Sequence, residues 1–249
     1  MATRQIFFTI SDVVGAATGS YSMIDGDGIS IFSNVDYRLL NGVTYSVNAT
    51  QSTFYLINNN SPINITYTTW NPNDASSNLS LSTNNLTVTK VISPVANVRT
   101  TIGKSSGKWY WEIRNDSSSG IFDLWEGVAN SAAGLSALPG SADVNGWAIA
   151  IDGSDYYHNG FLGTAGGPGV RWPSVTGDVM GFALDMDAGS LTVYQNNNIL
   201  SPNPLFTGIT GTVYPILSTQ FDTTVSTAYF GASGMSYSTP SGFNTGLYN

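Results

Sequence analysis

Residues Val98–Ile113 read VRTTIGKSSGKWYWEI, and residues Gly177–Asn197 read GDVMGFALDMDAGSLTVYQNN. In the first stretch Trp109, Trp111 and Ile113 alternate with Lys108, Tyr110, Glu112 and Arg114. A period of two is that of a strand with one apolar and one polar face. The second stretch reads as a strand, a tight turn at Asp187-Ala188-Gly189, and a returning strand over Leu191–Tyr194, which together make a hairpin. Outward from these two segments no 3.6-residue apolar stripe with caps appears. Short β-rich runs broken by Gly, Asn, Asp, Ser and Pro fill the chain, as in sandwiches and barrels. The fold class is therefore all-β.

Composition narrows the function classes. The chain has 249 residues, of which 41% are hydrophobic and 10% charged. That charge is less than half the usual share, and Asn, Ser, Thr and Gly take its place. Such a surface is solvated by neutral hydrogen-bonding groups, as in adhesins and viral fibres. Sixteen acidic residues against eight Lys and Arg give a net charge of −8, and the basic residues never gather into a stripe. Nucleic acid is thus not an expected partner, because phosphate neutralisation needs clustered cations. Membrane insertion is not expected either, since no run approaches the ~18 apolar residues of a spanning helix. Cysteine is absent, so the fold must rest on its core. The N-terminal MATRQIFFTISDVVG has no sustained apolar run and does not read as a secretory signal. Synthesis in a cytoplasm combined with an extracellular style of composition suits a virion protein. The Asn-x-Ser/Thr triplets at Asn48, Asn64, Asn78 and Asn85 then read as chance matches.

Two regions are expected. Residues 1–66 form a small β-rich unit with candidate strands at Ile6–Ile10, Ile29–Phe32, Thr44–Val47 and Thr53–Ile57. Asp25-Gly26-Asp27-Gly28 and Asn41-Gly42 are turn signals between them. This unit is too small to bury much surface alone. It is expected to dock on other virion proteins or on copies of itself, in a homo-oligomer with a trimer favoured. Asn58-Asn59-Asn60-Ser61-Pro62 marks the boundary, and residues 67–249 form the second region.

Several ordered motifs in the second region resemble the SPRY (B30.2-type) family. The run Val98–Glu112 resembles its core, and Gly127-Val128-Ala129-Asn130, Gly146–Asp152 and Tyr156–Gly160 follow in the family's order. The end of the chain, from Tyr214-Pro215 through Phe230-Gly231 to Pro240-Ser241-Gly242-Phe243, resembles the family's closing pattern. Asn196-Asn197-Asn198 departs from the usual single Asn-Gly turn. The segment Thr68–Thr89 is similar to the opening of phage and bacterial members. The resemblance implies a concanavalin-like antiparallel β-sandwich that binds and does not catalyse. It leaves residues 1–66 uncovered.

The residues give little reason to expect chemistry. Only Glu112 and Glu126 are glutamates, and no Glu-x-Asp-x-Glu cluster offers the paired carboxylates of a glycosidase. Glu112 alternates out of phase with the apolar residues, so it should face solvent or pair with a neighbouring Arg or Lys. His158 is the single histidine and no Gly-x-Ser-x-Gly elbow occurs, so neither a triad nor a zinc site can be assembled. The Asp-rich turns at Asp25–Gly28 and Asp185–Gly189 do not extend into a calcium loop. No cofactor and no metal are expected.

Candidate binding residues are aromatic. Trp109, Trp111 and Trp147 read as core, while Trp70, Trp125 and Trp172 fall in irregular segments. Trp172, between Arg171 and Pro173, either stands on an exposed loop or folds back to plug the sandwich. If it stands out, Trp172→Ala weakens binding and leaves stability nearly unchanged. His158 either serves its own turn or lines a surface with Asp155, Tyr156 and Tyr157. The candidate set is Trp125, Asp155, Tyr156, Tyr157, His158, Arg171 and Trp172. The function expected is a bacteriophage tail fibre or receptor-binding protein recognising host surface glycan or protein. A capsid decoration protein and an intracellular peptide-binding adaptor are the alternatives.

Overall fold

A computed structural model describes residues 4–9, 16–25, 30–40, 44–49, 54–58, 66–117, 123–170, 172, 174–221, 223–231 and 234–248. The chain divides into two compact units, Met1–Thr66 and Tyr67–Asn249. In the first, β1 (Arg4–Thr9) pairs with β4 (Thr44–Ala49), while β2 (Ala16–Asp25) lies between β3 (Ser30–Leu40) and β5 (Phe54–Asn58). Strand β2 has no counterpart in the sequence reading. Its AATGSYSMID carries only Thr18 and Ile24 as β-branched residues among small and polar ones, so the strand signal is thin. The turn residues 26–28 and Asn41-Gly42 lie outside the described residues.

The second unit is a sandwich of two antiparallel sheets, with no helix among the described residues. Its strands are β6 (Trp70–Ala75), β7 (Leu79–Ser82), β8 (Thr87–Lys90), β9 (Ala96–Thr100), β10 (Lys108–Ser117), β11 (Leu124–Ala129), β12 (Gly146–Ala150) and β13 (Asp155–Tyr157). There follow β14 (Phe161–Thr164), β15 (Val179–Asp185), β16 (Ser190–Gln195), β17 (Asn198–Ile199), β18 (Phe206–Thr207), β19 (Tyr214–Thr219), β20 (Val225–Tyr229) and β21 (Asn244–Thr245). One sheet runs β17-β16-β15-β10-β20-β8-β7, with β18 on β16 and β21 on β10. The other runs β14-β13-β12-β11-β19-β9-β6. The second unit is all-β, as the turn-punctuated sequence implies.

The period-two reading of β10 sets the core. Trp111 and Ile113 point between the sheets and are fully buried, Trp111 stacking on Phe182 of β15 at 5.4 Å. Trp109 is only partly buried, because its indole donates to the Ser106 carbonyl and its ring lies 3.6 Å beneath the Lys104 ammonium. The expected hairpin from β15 to β16 is present, with Met180 opposite Gln195 through Asp185 opposite Ser190. Asn196 and Asn197 both adopt left-handed φ, 49° and 67°, which makes the β16–β17 link a two-residue turn of the primed type. The asparagines thus replace Asn-Gly without disturbing the hairpin.

Glu112 requires a correction. It occupies the outer face as its phase demands, yet it neither faces solvent nor pairs with a cation. The C-terminal segment crosses over it, and it is 0% exposed. Its carboxylate accepts the Ser236 N–H at 2.6 Å, the Tyr237 N–H at 3.0 Å and the Tyr110 hydroxyl at 2.9 Å. Burial, and then the Glu112 charge, raise the Tyr110 phenol above its ordinary range. A carboxylate beneath a loop satisfies two backbone donors that burial would otherwise leave stranded.

Candidate recognition surface

Of the six described residues selected from the sequence, Trp125, Asp155 and Tyr157 come together on one face, and Tyr156, His158 and Trp172 do not join them. Trp125 lies in strand β11, not in an irregular segment, and is buried on the outer face of its sheet. Tyr157 packs on it at 4.5 Å, and Leu138 flanks both. Leu138 belongs to the long link between β11 and β12, which is tied across this face. Arg99 makes a two-pronged ion pair with Asp74 and donates to the Ala133 carbonyl, and the Asn97 amide donates to Gly134 and Ala137. Asp155 accepts from Thr164 at 3.0 Å. Burial and then the Asp155 charge raise the Tyr157 phenol.

Tyr156 points the other way, into the core, edge-on to Phe206 at 5.6 Å. His158 stacks on Trp147 at 4.4 Å with the planes 8° apart. Its Nδ1 lies 2.9 Å from the Gly146 carbonyl. A carbonyl only accepts, so Nδ1 carries the hydrogen. The ring therefore braces its own turn. Trp172 packs against the core, with its indole nitrogen buried. Trp70 is also buried, donating to the Leu86 carbonyl and meeting Phe230 edge-on. Arg171 lies outside the described residues.

A different surface appears at the end of the sandwich where β8 meets β9 and β19 meets β20. Val91 and Ile92 are more than half exposed, and Phe221 is 47% exposed. Neither loop is loose. The Lys90 ammonium is buried and donates to the carbonyls of Pro94 and, at 3.3 Å, Thr219. The two loops are joined by Lys90 N–H to the Thr224 carbonyl at 2.8 Å and by the Ser93 hydroxyl to the Gln220 carbonyl.

Asp123, fully buried, organises the loop that carries Phe221. Its Oδ1 accepts the Thr219 hydroxyl at 2.9 Å, the Gln220 N–H at 3.1 Å and the Phe221 N–H at 2.7 Å, while Oδ2 accepts the Thr224 hydroxyl. Behind it Asp152 Oδ2 accepts the Asp123 N–H at 2.8 Å. Two buried charges thus fix the backbone beneath an exposed apolar platform. Val175, also exposed, sits on the β14–β15 link, whose Ser174 N–H bonds the Ile151 carbonyl next to Asp152. Sequence reasoning passed over these residues. The signal was an apolar pair, Val91-Ile92, directly before Ser93-Pro94 in a turn.

Among the described residues no three His, Asp or Glu side chains group as a metal site. No family model and no curated protein match the chain. Solved structures do match. The SPRY domain of human HERC1 aligns over 67% of this chain and 99% of its own length, at 15% identity and a TM-score of 0.56. The TRIM65 PSpry domain aligns over 66% and 92%, at 18% identity and a TM-score of 0.52. At these identities the likeness speaks for the fold, and it agrees with the two antiparallel sheets described above. The chain carries a SPRY-type β-sandwich.

Proposed function

We propose that this chain is a virion recognition protein of the bacteriophage tail-fibre or receptor-binding type. Its sandwich engages a host surface ligand through the platform of Val91, Ile92 and Phe221. The carrying observation is that these exposed apolar side chains stand on loops locked by buried Lys90 and Asp123. A pre-ordered loop loses little freedom on binding, so contact energy is not spent on ordering. Aliphatic and aromatic anchors of this kind suit a protein ligand better than a glycan. The low charge and the Asn, Ser, Thr and Gly content support a place on a particle surface. Residues 1–66 supply attachment to other virion proteins, in a homo-oligomer with a trimer favoured.

Antibody labelling of the parent particle, followed by cell-binding assays, tests this. Label at the tail tip is expected. An Ile92→Ser/Phe221→Ser double variant should lose at least about tenfold in host-cell binding, with an unchanged unfolding midpoint. Label on the head lattice would make the chain a capsid decoration protein. Absence from particles, with capture of a defined short peptide, would make it an intracellular adaptor.

A further inference from the structure

Strand β11 reads Leu124-Trp125-Glu126-Gly127-Val128-Ala129, and its inward positions are Leu124, Glu126 and Val128. A glutamate therefore stands between two leucine- and valine-type positions on the core face. In register, Glu126 sits between Ile149 of β12 and Leu217 of β19, and beyond them come Tyr156 and Val98. It is 0% exposed, and both carboxyl oxygens are buried without a hydrogen-bond partner.

The surroundings offer it no cation among the described residues. On its own sheet the core-facing neighbours are Trp147, Ile149 and Ile151 from β12 and its end, Leu217 from β19, Val98 from β9 and the Tyr156 phenol from β13. The opposite sheet faces the core with Trp111 and Ile113 of β10, Met180, Phe182 and Leu184 of β15, Leu191 and Val193 of β16, and Ala228 of β20. The charge that acts on Glu126 is Asp152, of like sign. Asp152 Oδ1 is itself buried without a partner, its Oδ2 being engaged by Asp123 and Leu124. The Asp123 carboxylate is turned toward the 219–224 loop. A carboxylate in such a place has no solvent and accepts no hydrogen bond, so the group neutralises instead.

We propose that Glu126 is a conformational release built into the core: an acid on the inward face of β11 that is neutral while the two sheets stay packed and, on giving up its proton, destabilises the sandwich. The direction with pH follows from linkage. Burial, and then Asp152, raise the Glu126 carboxyl well above its ordinary value. The unfolded chain loses the same proton near pH ~4.3. Above that the unfolded state binds fewer protons than the folded one, so stability falls as pH rises, until the folded value is reached. Asp152, pushed up to about 6 chiefly by burial, contributes the same sign but is finished above that pH. The interval above it therefore isolates Glu126.

The test is urea unfolding of the full chain from about pH 6.5 to about pH 8.5, where the wild-type folding constant should fall as pH rises, by up to about tenfold per pH unit while the folded state keeps the proton. Tryptophan fluorescence reports on the sandwich alone, because all six tryptophans lie within residues 67–249. Glu126→Gln should flatten that slope. Infrared spectra should show a protonated carboxyl band above pH 7 that Glu126→Gln removes. A flat wild-type profile, an equal slope in the variant, or no protonated band would overturn the inference. If Glu126→Gln fails to fold, the wild-type slope and band still decide it.

Discussion

Replacing Asp123 by Asn removes one charge and keeps the side-chain shape, which makes it a direct test of the clamp beneath Phe221. Among the described residues Oδ1 accepts three hydrogen bonds and Oδ2 one. Bonds to a charged acceptor contribute about 1.5–3 kcal/mol each and neutral ones about 0.5–1.5, so each of the three Oδ1 bonds weakens by about 1 kcal/mol. The fourth partner, the Thr224 hydroxyl, can rotate to accept from the new amide and adds little. The expected loss is about 3 kcal/mol, roughly a hundredfold in the folding constant. Because the bonds converge on one loop, the loss should be accompanied by faster amide exchange at Gln220 and Phe221. Denaturant unfolding read by tryptophan fluorescence gives the first quantity, and exchange by NMR the second. A loss below about 1 kcal/mol with both amides still protected would refute the clamp. A full loss spread evenly over the sandwich would show that Asp123 supports the core and not the loop.

Two further substitutions have definite expectations. Gly127→Ala would place its Cβ 2.0 Å from the Trp147 carbonyl oxygen of the paired strand. The β11–β12 pairing must open, at a cost of more than about 4 kcal/mol, and soluble yield should collapse; a normally folded variant would contradict that register. Trp172→Ala should lower stability by about 2–3 kcal/mol, less than a fully buried tryptophan would, because the ring packs on the core from a partly buried position. An unchanged unfolding midpoint with weakened host binding would instead place Trp172 in the recognition surface.

The legibility of the fold followed the regularity of its alternation. In β10 the large side chains alternate cleanly with polar ones, so Trp111 and Ile113 were readable as core, while Trp109 at the strand's start is only partly buried. In β11 the same alternation is present but disguised, because its inward set includes Glu126 and its outward set includes Gly127. Trp125 therefore looked irregular. Trp70 was hidden for another reason. Its strand WNPNDA contains a proline and turn-forming residues, which an edge strand with an irregular register tolerates. The candidate site was less legible than the fold. Tyr156 and Tyr157 are adjacent, and strand geometry sends them to opposite faces, so a set containing both cannot converge.

What the sequence by itself determined is local: strand periods, turn positions and the phase of each side chain, all set by bonds and contacts between near neighbours. That phase put Glu112 on the outer face and Trp111 in the core. Which outward positions meet water was decided only by the tertiary structure. Residues Ser236 and Tyr237 return over Glu112, and the β11–β12 link covers Trp125. Asp123 meets its partners at positions 219–224, about a hundred residues along the chain. Such pairings depend on sheet order and loop path, and the pattern around any one residue carries no record of them.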